Sequence, residues 1–160
     1  MKDFWKFSII KVKKVYVFIC IGTTEIIGDS LGPMVGSLLE EKYKNNNNIK
    51  IYGNMKTPVD FYNVDKIINS IEYKYSNKAT KIIVDSALGN KIGSFVLTYE
   101  KNINLGEGFF KRKIIKGDIC IAAIVGKNHE NIVENFLELR SINRQIIRNM
   151  AEEIVRAIEI

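Results

Sequence analysis

Two aspartates stand where an α/β chain places its chemistry. Asp29 follows an apolar, β-branched run, Val15 to Ile21, and Asp85 ends a second such run, Lys81-Ile82-Ile83-Val84. Open α/β sheets gather their ligands at the carboxyl ends of the strands. Paired carboxylates there can work in two ways. One activates water while the other, kept protonated, donates to a leaving group, their repulsion separating the two pKa values. Alternatively, both hold a divalent metal whose bound water becomes the nucleophile. A third use is structural: Asp29 caps a helix, and Asp85 accepts backbone N–H groups in its loop. The residue types alone leave all three open.

The elements that must position them can be read in order. The strand from Val15 stops at Gly22, and a polar loop leads to Asp29-Ser30, Gly32-Pro33 and an amphipathic helix from Leu31 to Tyr43. Asp29 or Ser30 suits the N-cap, with Pro33 in the first turn, where its missing N–H costs nothing. Asn45 to Asn48 form a loop, and Ile49 to Gly53 alternate as a second strand. Val64, Ile67, Ile68, Ile71 and Tyr75 repeat at helical spacing, and Ser76-Asn77 closes that helix. The third strand ends at Asp85, and Ser86-Ala87-Leu88-Gly89-Asn90 reads as a loop. Ile92–Tyr99 reads as a strand, Leu105-Gly106-Glu107-Gly108 as a turn, and Asp118–Val125 as a strand. Two helices follow, one around Ile132, Val133, Phe136 and Leu137, the other carrying Ile142, Ile146, Ile147, Met150, Ile154, Val155 and Ile158 on one face.

This order predicts one sheet with helices on both faces. Right-handed crossovers with the second strand at the edge make the first and third strands neighbours. The loops beginning at Gly22 and Asp85 then open side by side, and both aspartates face one crevice.

Composition bounds the rest. A chain of 160 residues with 46% hydrophobic content suits one domain, 1–160, with residues 1–14 as an extra element of undecided form. Cys20 and Cys120 lie inside apolar runs and read as buried thiols of a reducing compartment. The net charge of +6 is concentrated in the first fourteen residues and at Lys111, Arg112, Lys113 and Lys116, which reads as a solvated face; nucleic acid is not the expected partner. The longest apolar run is too short to span a membrane, and no cleavage site follows it, so the expected location is the cytoplasm. No Walker or dinucleotide glycine pattern is present, and no Gly-x-Ser-x-Gly elbow surrounds Ser30 or Ser86. Phe109-Phe110 beside Lys111-Arg112-Lys113 suits stacking on nucleic acid or an exposed hairpin equally well.

The stretch Cys20-Ile21-Gly22-Thr23…Gly28-Asp29-Ser30-Leu31-Gly32-Pro33…Gly36 resembles the YyaC-type sporulation proteins, relatives of the spore germination protease. Tyr52-Gly53 with Thr57-Pro58-Val59, Val84-Asp85-Ser86-Ala87-Leu88-Gly89, Gly106-Glu107-Gly108 and Gly117-Asp118-Ile119 extend the resemblance over about residues 15 to 126. It implies a three-layer α/β/α sandwich with a mostly parallel sheet, shared with the germination protease and, more distantly, the hydrogenase-maturation peptidases. It also implies catalytic roles for Asp29 and Asp85, the two residues that topology selects.

In the maturation peptidases two acidic ligands and a later histidine hold a metal. Here the only histidine, His129, stands in Gly126-Lys127-Asn128-His129 and reads as a surface or helix-start residue. No cofactor is expected; if a divalent metal binds, Asp29 and Asp85 hold it. The resemblance implies a peptidase acting on a protein or peptide substrate in the sporulating cell or spore. Ser30 and Ser86 would orient the carboxylates, and Thr23, Thr24 and Asn90 would supply polar groups. The alternative is a non-catalytic sporulation protein that keeps the fold and binds a protein partner.

Overall fold

The computed structural model describes residues 7–8, 14–99, 102–105 and 113–160. In chain order the strands are β1 (Phe7–Ser8), β2 (Val15–Cys20), β3 (Ile49–Tyr52), β4 (Ala79–Leu88), β5 (Phe95–Tyr99), β6 (Asn102–Leu105), β7 (Lys113–Lys116), β8 (Ile119–Gly126) and β9 (Ile158–Glu159). The helices are α1 (Leu31–Lys42), α2 (Val64–Tyr75), α3 (Ile132–Ser141) and α4 (Arg144–Ala157), and a 3-10 turn over Ile27–Ser30 leads into α1.

The central sheet has the order β3-β2-β4-β8-β5. The first four strands are parallel, and β5 runs antiparallel to β8. The second strand of the βαβαβ unit, β3, takes the edge, so β2 and β4 are neighbours. Their carboxyl ends form the point where the strand order reverses.

β2 is apolar throughout because both its faces are covered. Tyr16, Phe18 and Cys20 point into a core shared with α1, α4 and Leu139 of α3. Val17 and Ile19 point the other way, toward Val64 and Ile71 of α2 and toward Leu105 and Ile115 of the β6–β7 hairpin. The helices thus sit on both faces of the sheet, as expected. Lys42, at the end of α1, donates to the carbonyls of Val155 (2.8 Å) and Ile158 (2.5 Å), closing the C-terminus of α4 with a cation.

Four readings of the sequence need correction. β4 does not stop at Asp85: Ser86, Ala87 and Leu88 continue it, paired with Ala123, Ile124 and Gly126 of β8, with an irregularity between Ala87 and Leu88. Pairing with a long neighbour overrides the turn-like local sequence. The strand read as Ile92–Tyr99 begins at Phe95. Leu105 closes β6 instead of opening a turn, while residues 106–108 and the Phe109-Phe110 stretch lie outside the described residues. Within the N-terminal segment, Phe7–Ser8 pairs in parallel with Ile158–Glu159, which ends the last helix one residue early. The rest of residues 1–13 lies outside the described residues.

Candidate functional site

Asp29 and Asp85 border the same cavity, of about 280 Å³. Its floor is the carboxyl end of the sheet: Ile21 and Gly22 after β2, Asp85 to Leu88 of β4, and Ala122 of β8. One wall is Phe61 with Ile103, Asn104 and Leu105 of β6, and the other is Asn128 with Asn135 and Leu139 of α3.

Gly22 brings Asp29 here. Its φ of +149° lies where residues with a side chain are rarely found, and a Cβ would sit 2.0 Å from the Asp29 carbonyl oxygen. The chain therefore folds tightly back on the end of β2. The Thr23 N–H donates to both the carbonyl oxygen and the Oδ2 of Asp29, each at 3.1 Å. The Ser86 hydroxyl donates to Asp29 Oδ1 at 3.3 Å, and the Ser86 N–H donates to Asp85 Oδ1 at 2.8 Å. Ser86 thus touches both carboxyl groups, one through its side chain and one through its backbone.

Burial pushes the Asp29 carboxyl up to about 7 from an ordinary 3.8, against the opposing pull of the Thr23 and Ser86 bonds; the Asp60 charge adds to the rise. A carboxyl so placed holds its proton close to neutrality and can donate it. Cys20, deep in the core, is also pushed up, by burial above all, which disfavours the nucleophilic thiolate.

The remaining sequence candidates separate. Ser86 meets the aspartates, and Thr23 contributes its backbone amide. Ser30 is buried, but its hydroxyl donates to the Ile27 carbonyl at 2.7 Å inside the 3-10 turn, and it makes no side-chain cap on α1. Thr24 and Asn90 are exposed and do not border the cavity.

Sequence reasoning missed the walls. Phe61 and the β6 residues come from a loop and a four-residue strand that carry little periodic signal. Asn135 left a trace: it is a buried amide four residues before Leu139 on the inner stripe of α3. Its Oδ1 accepts from the His129 N–H (2.7 Å) and its Nδ2 donates to the His129 carbonyl (3.1 Å), which fixes the loop bearing Asn128.

The donor set does not fit a metal held by two acids and a histidine. His129 Nε2 lies 3.1 Å from Glu138 and Nδ1 lies 3.6 Å from Glu134, and the ring does not border the cavity. The amides of Asn128 and Asn135 border the cavity with the aspartates, and the Asn135 side chain is bonded at both ends. Among the described residues, no three His, Cys, Asp or Glu side chains form a metal-binding group.

The fold is the α/β fold of a hydrogenase maturation protease. The chain overlays on the [NiFe] hydrogenase maturation protease HycI from Thermococcus kodakarensis KOD1 with a TM-score of 0.57 and 18% identity, covering 91% of this chain and 90% of that one. A looser overlay, TM-score 0.39 at 16% identity over 88% and 99% of the two chains, is found with the maturation protease HybD from Thermococcus kodakarensis. The sequence narrows this further: residues 1–157 match the family described as "Protein of unknown function (DUF1256)", and the chain belongs to that family. It is 32% identical over 149 residues to the "Uncharacterized protein YyaC" of Bacillus subtilis (strain 168), covering 92% of this chain and 69% of that protein. No helix among the described residues is long and apolar enough to cross a membrane.

Proposed function

We propose that this chain is a peptidase of sporulation or germination, cleaving a protein substrate through Asp29 and Asp85. The observation that carries the reading is the meeting of the two carboxyl groups at one cavity, tied together by Ser86. Asp85 takes a proton from water, which attacks the scissile carbonyl. Asp29, protonated through its burial, gives its proton to the leaving amide nitrogen. The substrate thus gains one water, and the two carboxyl groups have exchanged protonation states. The likeness in fold to a maturation protease supports the reading.

The test is cleavage of small DNA-protecting spore proteins and of a random peptide library, followed by mass spectrometry. Discrete products are expected from the native chain, with or without chelator, and a loss of roughly 10²-fold or more in Asp85→Asn. A chain that yields no product from either source, while folded, overturns the peptidase reading and leaves the partner-binding one. Loss of cleavage with chelator would assign the carboxylates to a metal instead.

Ser86 gives a finer check. Its hydroxyl favours the ionised form of Asp29, so Ser86→Ala is expected to raise the Asp29 pKa further. The alkaline limb of the pH–rate profile then moves upward by a fraction of a pH unit. A limb that stays in place means that Asp29 is not the titrating acid.

A further inference from the structure

The β6 edge supplies a way to hold the substrate, an inference that rests on the peptidase reading for what lies beside the aspartates. Ile103, Asn104 and Leu105 all border the cavity. Successive side chains of a strand point to opposite faces. Ile103 packs on the α2-side core and Leu105 is buried in it, whereas Asn104 is exposed opposite Ile114. With side chains on opposite faces, what these three residues have in common is the main chain of β6.

One edge of that main chain is taken by β7. The hairpin is antiparallel, with Asn102, Ile103, Asn104 and Leu105 opposite Lys116, Ile115, Ile114 and Lys113. In such a pair, alternate residues direct both N–H and C=O toward the partner, and the others direct them away. Among the described residues β6 and β7 form a sheet of two strands only.

The edge is also held in place. Ile103, Leu105 and Ile115 join the core with Val64 and Ile71 of α2. Lys113 Nζ lies 2.6 Å from Asp65 Oδ2 and 4.6 Å from the centre of the Phe61 ring, which itself borders the cavity. The hairpin, α2 and the cavity wall are thus one packed unit. An extended chain needs a lane of only about 4.8 Å beside β6, against roughly 10 Å for a helix.

We propose that the substrate enters as an extended, locally unfolded segment and adds a third strand to the β6–β7 hairpin, which lays its main chain across Asp29 and Asp85. Recognition is then carried largely by backbone hydrogen bonds, while Ile21, Phe61, Leu88 and Leu139 offer apolar ground to its side chains. The selected feature is an unstructured stretch, with the side-chain sequence read loosely.

The probe is a short fluorescein-labelled peptide, chosen from a random-sequence library by binding to the full chain carrying Asp85→Asn. A series of the same peptide with one backbone N-methyl group at each position is then measured by fluorescence anisotropy. Methylation is expected to weaken binding by about tenfold at every second position along the paired stretch and to spare the positions between. A uniform effect, no effect, or a library from which no peptide binds overturns the proposal. So does a chain that is dimeric by sedimentation through this edge and that peptide does not dissociate. Cleavage by the native chain is scored in parallel. Cleavage without the alternation leaves the peptidase reading standing and removes the added strand. Alternation without cleavage does the reverse.

Discussion

Asp29→Asn is expected to abolish peptide cleavage and, at pH 8, to raise the melting temperature. The first effect follows from losing the acid: an amide has no proton to give at a useful pKa, and removing a general acid costs roughly 10²–10⁴-fold. The second follows from linkage. The folded chain holds the Asp29 proton up to about 7, whereas the unfolded chain releases it near 3.8. Between these values the folded state binds the extra proton, so native stability falls as pH rises through the window and stays low above it.

Asn at this position avoids the cost of burying a charge. Its Oδ1 can accept from the Thr23 N–H, and its Nδ2 can donate to the Ser86 hydroxyl, which turns from donor to acceptor. The full linkage would be worth up to about 4 kcal/mol, and part of it is relieved by solvent at the half-buried carboxyl. A rise on the order of 5 °C at pH 8 is therefore expected, shrinking to nothing near pH 4. Cleavage by the native chain should in turn decline above pH 7 as Asp29 loses its proton. Thermal scans at the two pH values and a pH–rate profile check all of this. A variant that cleaves at the native rate removes Asp29 from the chemistry, and one that is destabilised at every pH makes Asp29 a structural anchor.

The parts of this fold that sequence reveals are those with long periodic signals. The two-sided burial of β2 writes itself as an unbroken run from Val15 to Ile21, and α2 as a spacing of apolar residues from Val64 to Tyr75. Crossover handedness then places β2 beside β4, which brings Asp29 and Asp85 to one cavity. The walls of that cavity escape the same reasoning. β6 and β7 are four residues each, with only Ile103, Leu105 and Ile115 turned to the core, and Phe61 stands in a loop. Ser86 is read as an orienting residue but placed in a loop: Ser86-Ala87-Leu88-Gly89 resembles a turn, and only pairing with β8 makes Ser86 to Leu88 strand. Ser30 shows the opposite error. A hydroxyl beside a catalytic candidate suggests an orienting role, yet the 3-10 turn offers it the nearer Ile27 carbonyl.

Gly32→Ala is expected to destabilise the fold that Asp29→Asn leaves intact. Gly32 is the second residue of α1, and a Cβ there would lie 2.0 Å from the carbonyl oxygen of Ile21 and 2.7 Å from its carbonyl carbon and its nitrogen. Every atom in the way is backbone, so no side chain can rotate aside. Nor can Ile21 retreat freely, since its N–H is bonded to the Val84 carbonyl at 2.8 Å and ties β2 to β4. The helix must move off the sheet by an ångström or more, breaking contacts that Leu31 and Val35 make in the core. A loss of about 3 kcal/mol is expected, or a melting temperature lower on the order of 10 °C, read by urea and thermal unfolding.

Activity should fall further than stability explains. Asp29 lies three residues earlier, in the 3-10 turn that leads into α1, so a shift of α1 drags its carboxyl away from Thr23 and Ser86. A misplacement of about 1 Å costs a catalytic group roughly 10²-fold. The fraction that remains folded at low temperature should therefore cleave slowly. Native stability in Gly32→Ala would mean that α1 and β2 have room the structure does not show. A fully active folded fraction would mean that the position of Asp29 does not depend on this contact.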